Sequence, residues 1–432
     1  MMLPRWGLGL VISGILLCFI PINLVKSQKS DPDEFQTPQD YITSKGYIAE
    51  IHHVVTKDGY ILGVHRIYAP RYAHKPRKAV IIQHGLLLSS MVFITNSPGG
   101  GIERKEIVDY GSNSRYVKHE YGDNLGFLLA DYGYDVWLPN SRGNTYSTNH
   151  TKLNPFKDKR FWEFSFQEMA QKDLPAVIGH IQRITRQSEL SYIGHSQGTL
   201  QAFILLAEKP EYSQILKPII MLAPVLDVTT IKDQARLLIE SDELAKDLRI
   251  IGGPVFPHAS LLDLLPEVIC SKKVHYICEN VVTLFGGMNL PQLNITRLPV
   301  YFSYVPAGTS ATNIIHYHQA VKSGTRYFDH GEEINKLLYG TPKPPEIPWE
   351  NINSPYIAIF YGENDLFAGP EEVSTAKKLI KIPFWYEYKV PDHLWSHMDF
   401  LWGKQAGEFV YSHILSMLKR FPIRYINPRY GK

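Results

Sequence analysis

Five short apolar runs, each bounded by turn residues, recur along the chain with helix-like stretches between them. They are residues 79–82, 134–138, 190–193, 219–222 and 356–360, and a sixth covers 385–390. Each is rich in β-branched or aromatic residues and too short for a buried helix. Between them, segments such as 166–183 repeat apolar residues at three- and four-residue steps. Strand and helix in alternation predict a mostly parallel sheet with helices on both faces. The 432 residues are 44% hydrophobic and 20% charged, enough apolar material for such a core.

Residues 224–348 break the alternation. A stretch at 231–250 is amphipathic, and helix-like segments follow near 261–265 and 311–321, before the Pro-rich Thr341-Pro342-Lys343-Pro344-Pro345. Strands resume afterwards, so this block reads as a helical insertion that caps the sheet. The expected organisation is a leader at 1–27, a first core part at 28–223, the cap at 224–348 and a second core part at 349–432.

The leader is read from Arg5, an apolar run over 7–20, Pro21, and Val25 with Ser27 ahead of a cleavage point. That run is short for a spanning helix, which needs about 20 apolar residues. The mature chain is therefore expected to be exported, secreted or lysosomal, with no transmembrane segment. Export gives meaning to Cys270 and Cys278, read as one disulfide, and to the glycosylation sequons at Asn149 and Asn294. A net charge of +3, with Lys and Arg scattered, excludes a nucleic-acid field.

The chemistry centres on Gly194-His195-Ser196-Gln197-Gly198, which follows one strand and precedes the helix-like 199–204. A serine between glycines at a strand-to-helix turn is lifted above the sheet as a nucleophile. It needs a base, and the base needs an orienting acid. After the insertion, the strand at 356–360 runs into Gly362-Glu363-Asn364-Asp365, where Asp365 is the better acid and Glu363 the runner-up. The final strand leads to His393 and His397, which spacing barely separates. His316 and His318 read as a helix face, and no metal-ligand spacing stands out. Upstream, His84-Gly85-Leu86 follows a strand, so that the N–H of Leu86, with that of Gln197, can face a developing oxyanion.

These residues sit within longer stretches that closely resemble the acid lipase family, the gastric and lysosomal acid lipases and their insect relatives. The stretches include His84-Gly85-Leu86-Leu87, residues 129–137 running on to Asn140-Ser141-Arg142-Gly143-Asn144, and residues 164–170. The elbow at 194–198, Gly362-Glu363-Asn364-Asp365 and His397-Met398-Asp399-Phe400 complete the likeness, which spans about 41–421. The resemblance implies an α/β-hydrolase fold, with a helical cap and a lid over an apolar pocket. It favours Asp365 over Glu363 and His397 over His393, and is consistent with Leu86 and Gln197 as oxyanion donors and a Cys270–Cys278 bridge. It implies a cofactor-free serine hydrolase whose partners are triacylglycerols or cholesteryl esters at a lipid–water interface. One departure is plain. Residues 97–123, opening with Ser97-Pro98-Gly99-Gly100-Gly101 and mixed in charge, are an extra segment expected to form a solvated loop.

Overall fold

The computed structural model describes residues 31–107, 116–232, 235–236, 239–256 and 289–427. The leader, Cys18 and the Cys270–Cys278 pair lie outside these residues.

The strands in chain order are β1 (Ile48–Val55), β2 (Tyr60–Tyr68), β3 (Ala79–Gln83), β4 (Ile102–Ile107), β5 (Tyr116–Tyr121), β6 (Asp135–Pro139) and β7 (Asn149–His150). They continue with β8 (Leu190–His195), β9 (Leu216–Leu222), β10 (Pro254–Val255), β11 (Thr309–Ser310), β12 (Ile357–Tyr361) and β13 (Tyr386–Lys389). The main sheet runs β1-β2-β6-β3-β8-β9-β12-β13, with β7 on β2. From β6 to β13 every pairing is parallel, and β1 and β2 form an antiparallel edge. The apolar runs became these parallel strands because both faces are covered: every residue of β3, β6 and β8 is buried. The edge strand β13, by contrast, alternates half-buried tyrosines with exposed Glu387 and Lys389. Charge there discourages pairing with another sheet.

The stretch expected as one helix over 166–183 divides in three. Ser165 and Glu168 form a reciprocal capping box that starts helix Phe166–Glu168. A π-helical turn, Met169–Asp173, follows, and then helix Leu174–Thr185. The widened turn brings Asp173 inward, where its carboxylate binds the buried Arg142 through Nε at 2.8 Å.

Between β9 and β12 the described chain adds no strand to the main sheet. Its helices are Asp242–Ile251, Leu298–Tyr304, Ala311–Ser323 and Glu332–Tyr339. Ala235, Arg236 and Ile239 are helical too, so the stretch expected over 231–250 divides at Ser241, which caps the helix Asp242–Ile251 by accepting from the Leu244 N–H at 3.2 Å. Leu298, Val300, Tyr301, Tyr304, Tyr317 and Val321 belong to the same apolar cluster as the sheet.

Residues 97–123 are not the irregular loop that their charge suggested. β4 and β5 pair antiparallel from Ile102–Tyr121 to Ile107–Tyr116. The glycines at its base are pinned: a Cβ on Gly101 would lie 2.3 Å from the Phe127 carbonyl carbon. The Gly101 N–H donates to Tyr47 Oη at 2.8 Å, and Asn124 Nδ2 binds the Gly99 carbonyl at 2.9 Å. No helix among the described residues is long and apolar enough to cross a membrane.

Candidate active site

β8 lies in the middle of the sheet between β3 and β9, and its carboxyl end delivers Ser196 into the turn before helix Gln197–Glu208. Ser196 has φ 53° and ψ −122°, a conformation that L-residues rarely adopt and that costs about 1–3 kcal/mol. The flanking glycines make the turn possible. A Cβ on Gly194 would come within 2.9 Å of the Gly198 carbonyl carbon, and one on Gly198 within 2.5 Å of the Gln83 carbonyl oxygen. Gly85, on the loop after β3, faces the serine directly: a Cβ there would sit 2.9 Å from Ser196 Cβ and 3.3 Å from its Oγ.

That loop is oriented by His84, which is fully buried. Its Nδ1 donates to the Gly85 carbonyl at 2.8 Å, while Nε2 accepts from the Ser141 N–H at 3.0 Å and from Asn144 Nδ2 at 3.2 Å. Burial pushes the imidazole down to about 4, so it remains neutral with one donor and one acceptor. With the Gly85 carbonyl turned toward His84, the next N–H, that of Leu86, is left without an acceptor among the described residues. The same is true of the Gln197 N–H at the start of its helix. The Gln197 side chain is held by Asn313 Nδ2, which donates to its Oε1 at 2.9 Å.

On the far side of the serine, β12 ends at Tyr361 and leads to Asp365. The Phe367 and Ala368 N–H groups each donate to Asp365 Oδ1 at 2.9 Å. His397 Nδ1 lies 2.9 Å from Asp365 Oδ2 and 3.0 Å from Oδ1, with both side chains buried. Gly362 makes room for this meeting, since a Cβ on it would lie 2.1 Å from the Trp395 carbonyl oxygen. The competing residues point elsewhere. Glu363 pairs with Lys389 at 3.2 Å on the surface, and His393 is exposed. His316 stacks on Phe166 at 3.9 Å and bonds to Ser165 Oγ and the Arg326 carbonyl, while His318 bonds to the Ile239 carbonyl.

His195 joins the two halves. Its Nε2 donates to the His397 carbonyl oxygen at 3.0 Å, and the two rings lie 4.8 Å apart. Among the described residues no hydrogen bond links Ser196 Oγ to the His397 ring. A nucleophile–base bond of this type commonly tightens only when substrate arrives.

A serine on a strained turn, a buried carboxylate–imidazole pair and two N–H groups without an acceptor among the described residues are an arrangement that can support acyl transfer. Residues 38–97 match the model of a partial α/β-hydrolase lipase region, and residues 78–265 match that of the α/β-hydrolase fold. A gastric triacylglycerol lipase of Bos taurus is 37% identical, covering 94% of this chain and 96% of its own. The chain belongs to the acid lipase family.

Other acid lipase relatives include a human gastric triacylglycerol lipase, 36% identical over 91% of this chain and 93% of its own. A solved structure of a candidate lipase from Sulfolobus solfataricus shares the fold, with TM-score 0.55 at 15% identity, covering 87% of this chain and 95% of that one. Within the family likeness, nothing in the sequence of Asn140-Ser141-Arg142-Gly143-Asn144 announces its task. The structure gives it one: Ser141 and Asn144 hold the acceptor side of His84. The parts played by His84, Asn313 and His195 were also missed, because each depends on a partner distant in sequence.

Proposed function

We propose that the protein hydrolyses carboxylic esters of neutral lipids, triacylglycerols and cholesteryl esters, with Ser196 as nucleophile, His397 as base and Asp365 as acid. The observation that carries the reading is the buried Asp365–His397 pair, placed across from a serine in a strained turn beside Gly85. The ester class is supported by the relatives, which are named as triacylglycerol lipases or, in Crotalus adamanteus, as a candidate lysosomal acid lipase/cholesteryl ester hydrolase.

His397 Nε2 takes the proton as Ser196 Oγ attacks the ester carbonyl, while Asp365 holds Nδ1–H and stabilises the imidazolium. The oxyanion of the tetrahedral intermediate is met by the N–H groups of Leu86 and Gln197. His397 then passes its proton to the leaving alcohol oxygen, and the acyl group stays on Ser196. Water, deprotonated by His397, attacks the acyl-enzyme and releases the fatty acid with Ser196 restored. No step calls for a cofactor.

Residues 224–348 are proposed as a cap that covers the acyl pocket, stapled by Cys270–Cys278. The chain is proposed to enter the secretory pathway by cleavage of residues 1–27, to carry glycans on Asn149 and Asn294, and to act at a lipid–water interface outside the cell or in the lysosome.

The test is reaction of the purified mature chain with a fluorophosphonate probe, together with hydrolysis of tributyrin, triolein and cholesteryl oleate. Labelling at Ser196, with turnover on all three, is expected. Ser196→Ala should remove both, with a fall in kcat on the order of 10⁶. Retained turnover in that variant would overturn the assignment.

A further inference from the structure

The loop over 391–398 carries His397, and a carboxylate grips it at each end. Asp399, two residues past His397, opens helix Asp399–Trp402. Its Oδ2 accepts from the Ser396 N–H at 2.7 Å, the Ser396 hydroxyl at 3.0 Å and Asn289 Nδ2 at 2.9 Å. At the other end, Asp392 Oδ1 accepts from the Leu394 N–H at 2.9 Å. Its Oδ2 accepts from Asn289 Nδ2 and from Gln292 Nε2, both at 3.2 Å. One amide nitrogen therefore ties both carboxylates together.

Asn289 and Gln292 belong to the segment between β9 and β12 and meet the chain that follows β13. The meeting is fastened further by the Lys404 N–H on the Gln292 carbonyl at 2.9 Å and the Gln405 N–H on Gln292 Oε1 at 3.1 Å. Asp399 is buried and makes no ion pair with a cation among the described residues, and Asp392 is a second carboxylate on the same donor. A carboxyl placed so is costly to bury unless its hydrogen bonds are made. All three land on Oδ2, and two come from the residue immediately before His397.

We infer that Asp399 is a positioning residue for His397, and that Asn289 couples that position to the 224–348 segment. The inference rests on the Ser196–His397–Asp365 reading above. With the Ser396 N–H and hydroxyl both captured, the backbone entering His397 has one arrangement, the one that sets Nδ1 against Asp365. Without the capture, the imidazole keeps its chemistry and loses its aim.

The test uses the full mature chain, wild type against Asp399→Ala, Asp399→Asn, Asn289→Ala and the Asp399→Ala/Asn289→Ala double variant. The readouts are the rate and final extent of fluorophosphonate labelling, kcat and KM for tributyrin, and melting temperature. Asp399→Ala should slow labelling and lower kcat together by about 10²-fold, the scale of a small misplacement of a reacting group. KM and the final labelled fraction should be unchanged. Asp399→Asn, whose carbonyl oxygen can stand in for Oδ2, should restore most of the rate. Asn289→Ala should cost a smaller factor, and the double variant should be no slower than Asp399→Ala alone. Wild-type rates in Asp399→Ala would overturn the inference. So would a loss seen only as fewer labelled sites with a lower melting temperature, or an Asp399→Asn variant as slow as Asp399→Ala. If the wild type itself is not labelled, the nucleophile assignment fails, and this inference with it.

Discussion

His195 Nε2 donates a 3.0 Å hydrogen bond to the carbonyl oxygen of His397, so the residue before the proposed nucleophile fastens the backbone of the proposed base. Burial holds the His195 imidazole well below its ordinary range, and its Nδ1 has no partner among the described residues. His195→Phe therefore forfeits one hydrogen bond and little else. Leaving the His397 carbonyl unsatisfied should lower stability by about 1–3 kcal/mol. Tributyrin kcat should fall by roughly 10- to 100-fold as the base loop loosens. Urea denaturation alongside steady-state kinetics checks both, and unchanged kcat would show the loop is held without this bond.

Asp365→Asn should cost about 10⁴ in kcat, because the amide cannot fix the productive imidazole tautomer. Glu363→Gln removes only a surface pair with Lys389 and should leave kcat near wild type. Comparing the two variants on tributyrin decides the acid. A larger loss in Glu363→Gln would reverse the assignment.

Two buried carboxyls should each lose their contribution to stability as pH rises from the ordinary carboxyl range toward 8. Burial pushes Glu372 up to about 8, although it accepts from the Leu226 and Asp227 N–H groups and the Thr230 hydroxyl. Burial likewise raises Asp399 to about 7, with Asp392 adding repulsion. Each carboxyl keeps its proton in the folded state over a range where the unfolded chain has released it. Their contributions are complete below the unfolded values near 4 and are lost as pH climbs to about 7 for Asp399 and 8 for Glu372. The slope is about 1.4 kcal/mol per pH unit for each group between its unfolded and folded values. From pH 7 to 8, above the range over which rising pH favours the folded chain through buried histidines such as His84 and His195, melting temperatures should decline, and Glu372→Gln should flatten the curve there. An unchanged slope in that variant would assign the effect to other groups.

How far the sequence was legible depended on where each group finds its partners. Parallel strands such as 79–82 and 190–193 were plain because burial on both faces demands unbroken apolar runs. β1 and β2 were not, since an antiparallel edge tolerates His52, His53 and Arg66 among its apolar residues. The hairpin of β4 and β5 was hidden by Glu103, Arg104, Lys105 and Glu106, because a strand pair outside the main sheet need not be apolar. Ser196, Asp365 and His397 stand in local motifs. Asp399 with Asn289, or Asn313 with Gln197, are pairs separated by more than a hundred residues, and no local pattern announces them.

Replacing residues 103–119 by a short turn, while keeping both ends of the segment, should change stability by only about 1 kcal/mol, because loop closure depends weakly on length. Removing Gly101 or Asn124 as well should cost more, since both pack on the body of the protein. Melting temperatures of the two deletions test this, and equal losses would contradict it.

The order of strands across the sheet also sets when the enzyme can first act. β8 and its flanking β3 and β9 are in hand once about half the chain has left the ribosome, so the serine turn can form early against its own neighbours. Asp365 and His397 arrive with β12 and β13, which add to one side of that assembly only after residues 224–348 have been made. A nascent or truncated chain would thus display the proposed nucleophile without its proposed activating pair. A lipid-cleaving protein built in this order would stay inert toward the membranes around it until both of those strands have docked.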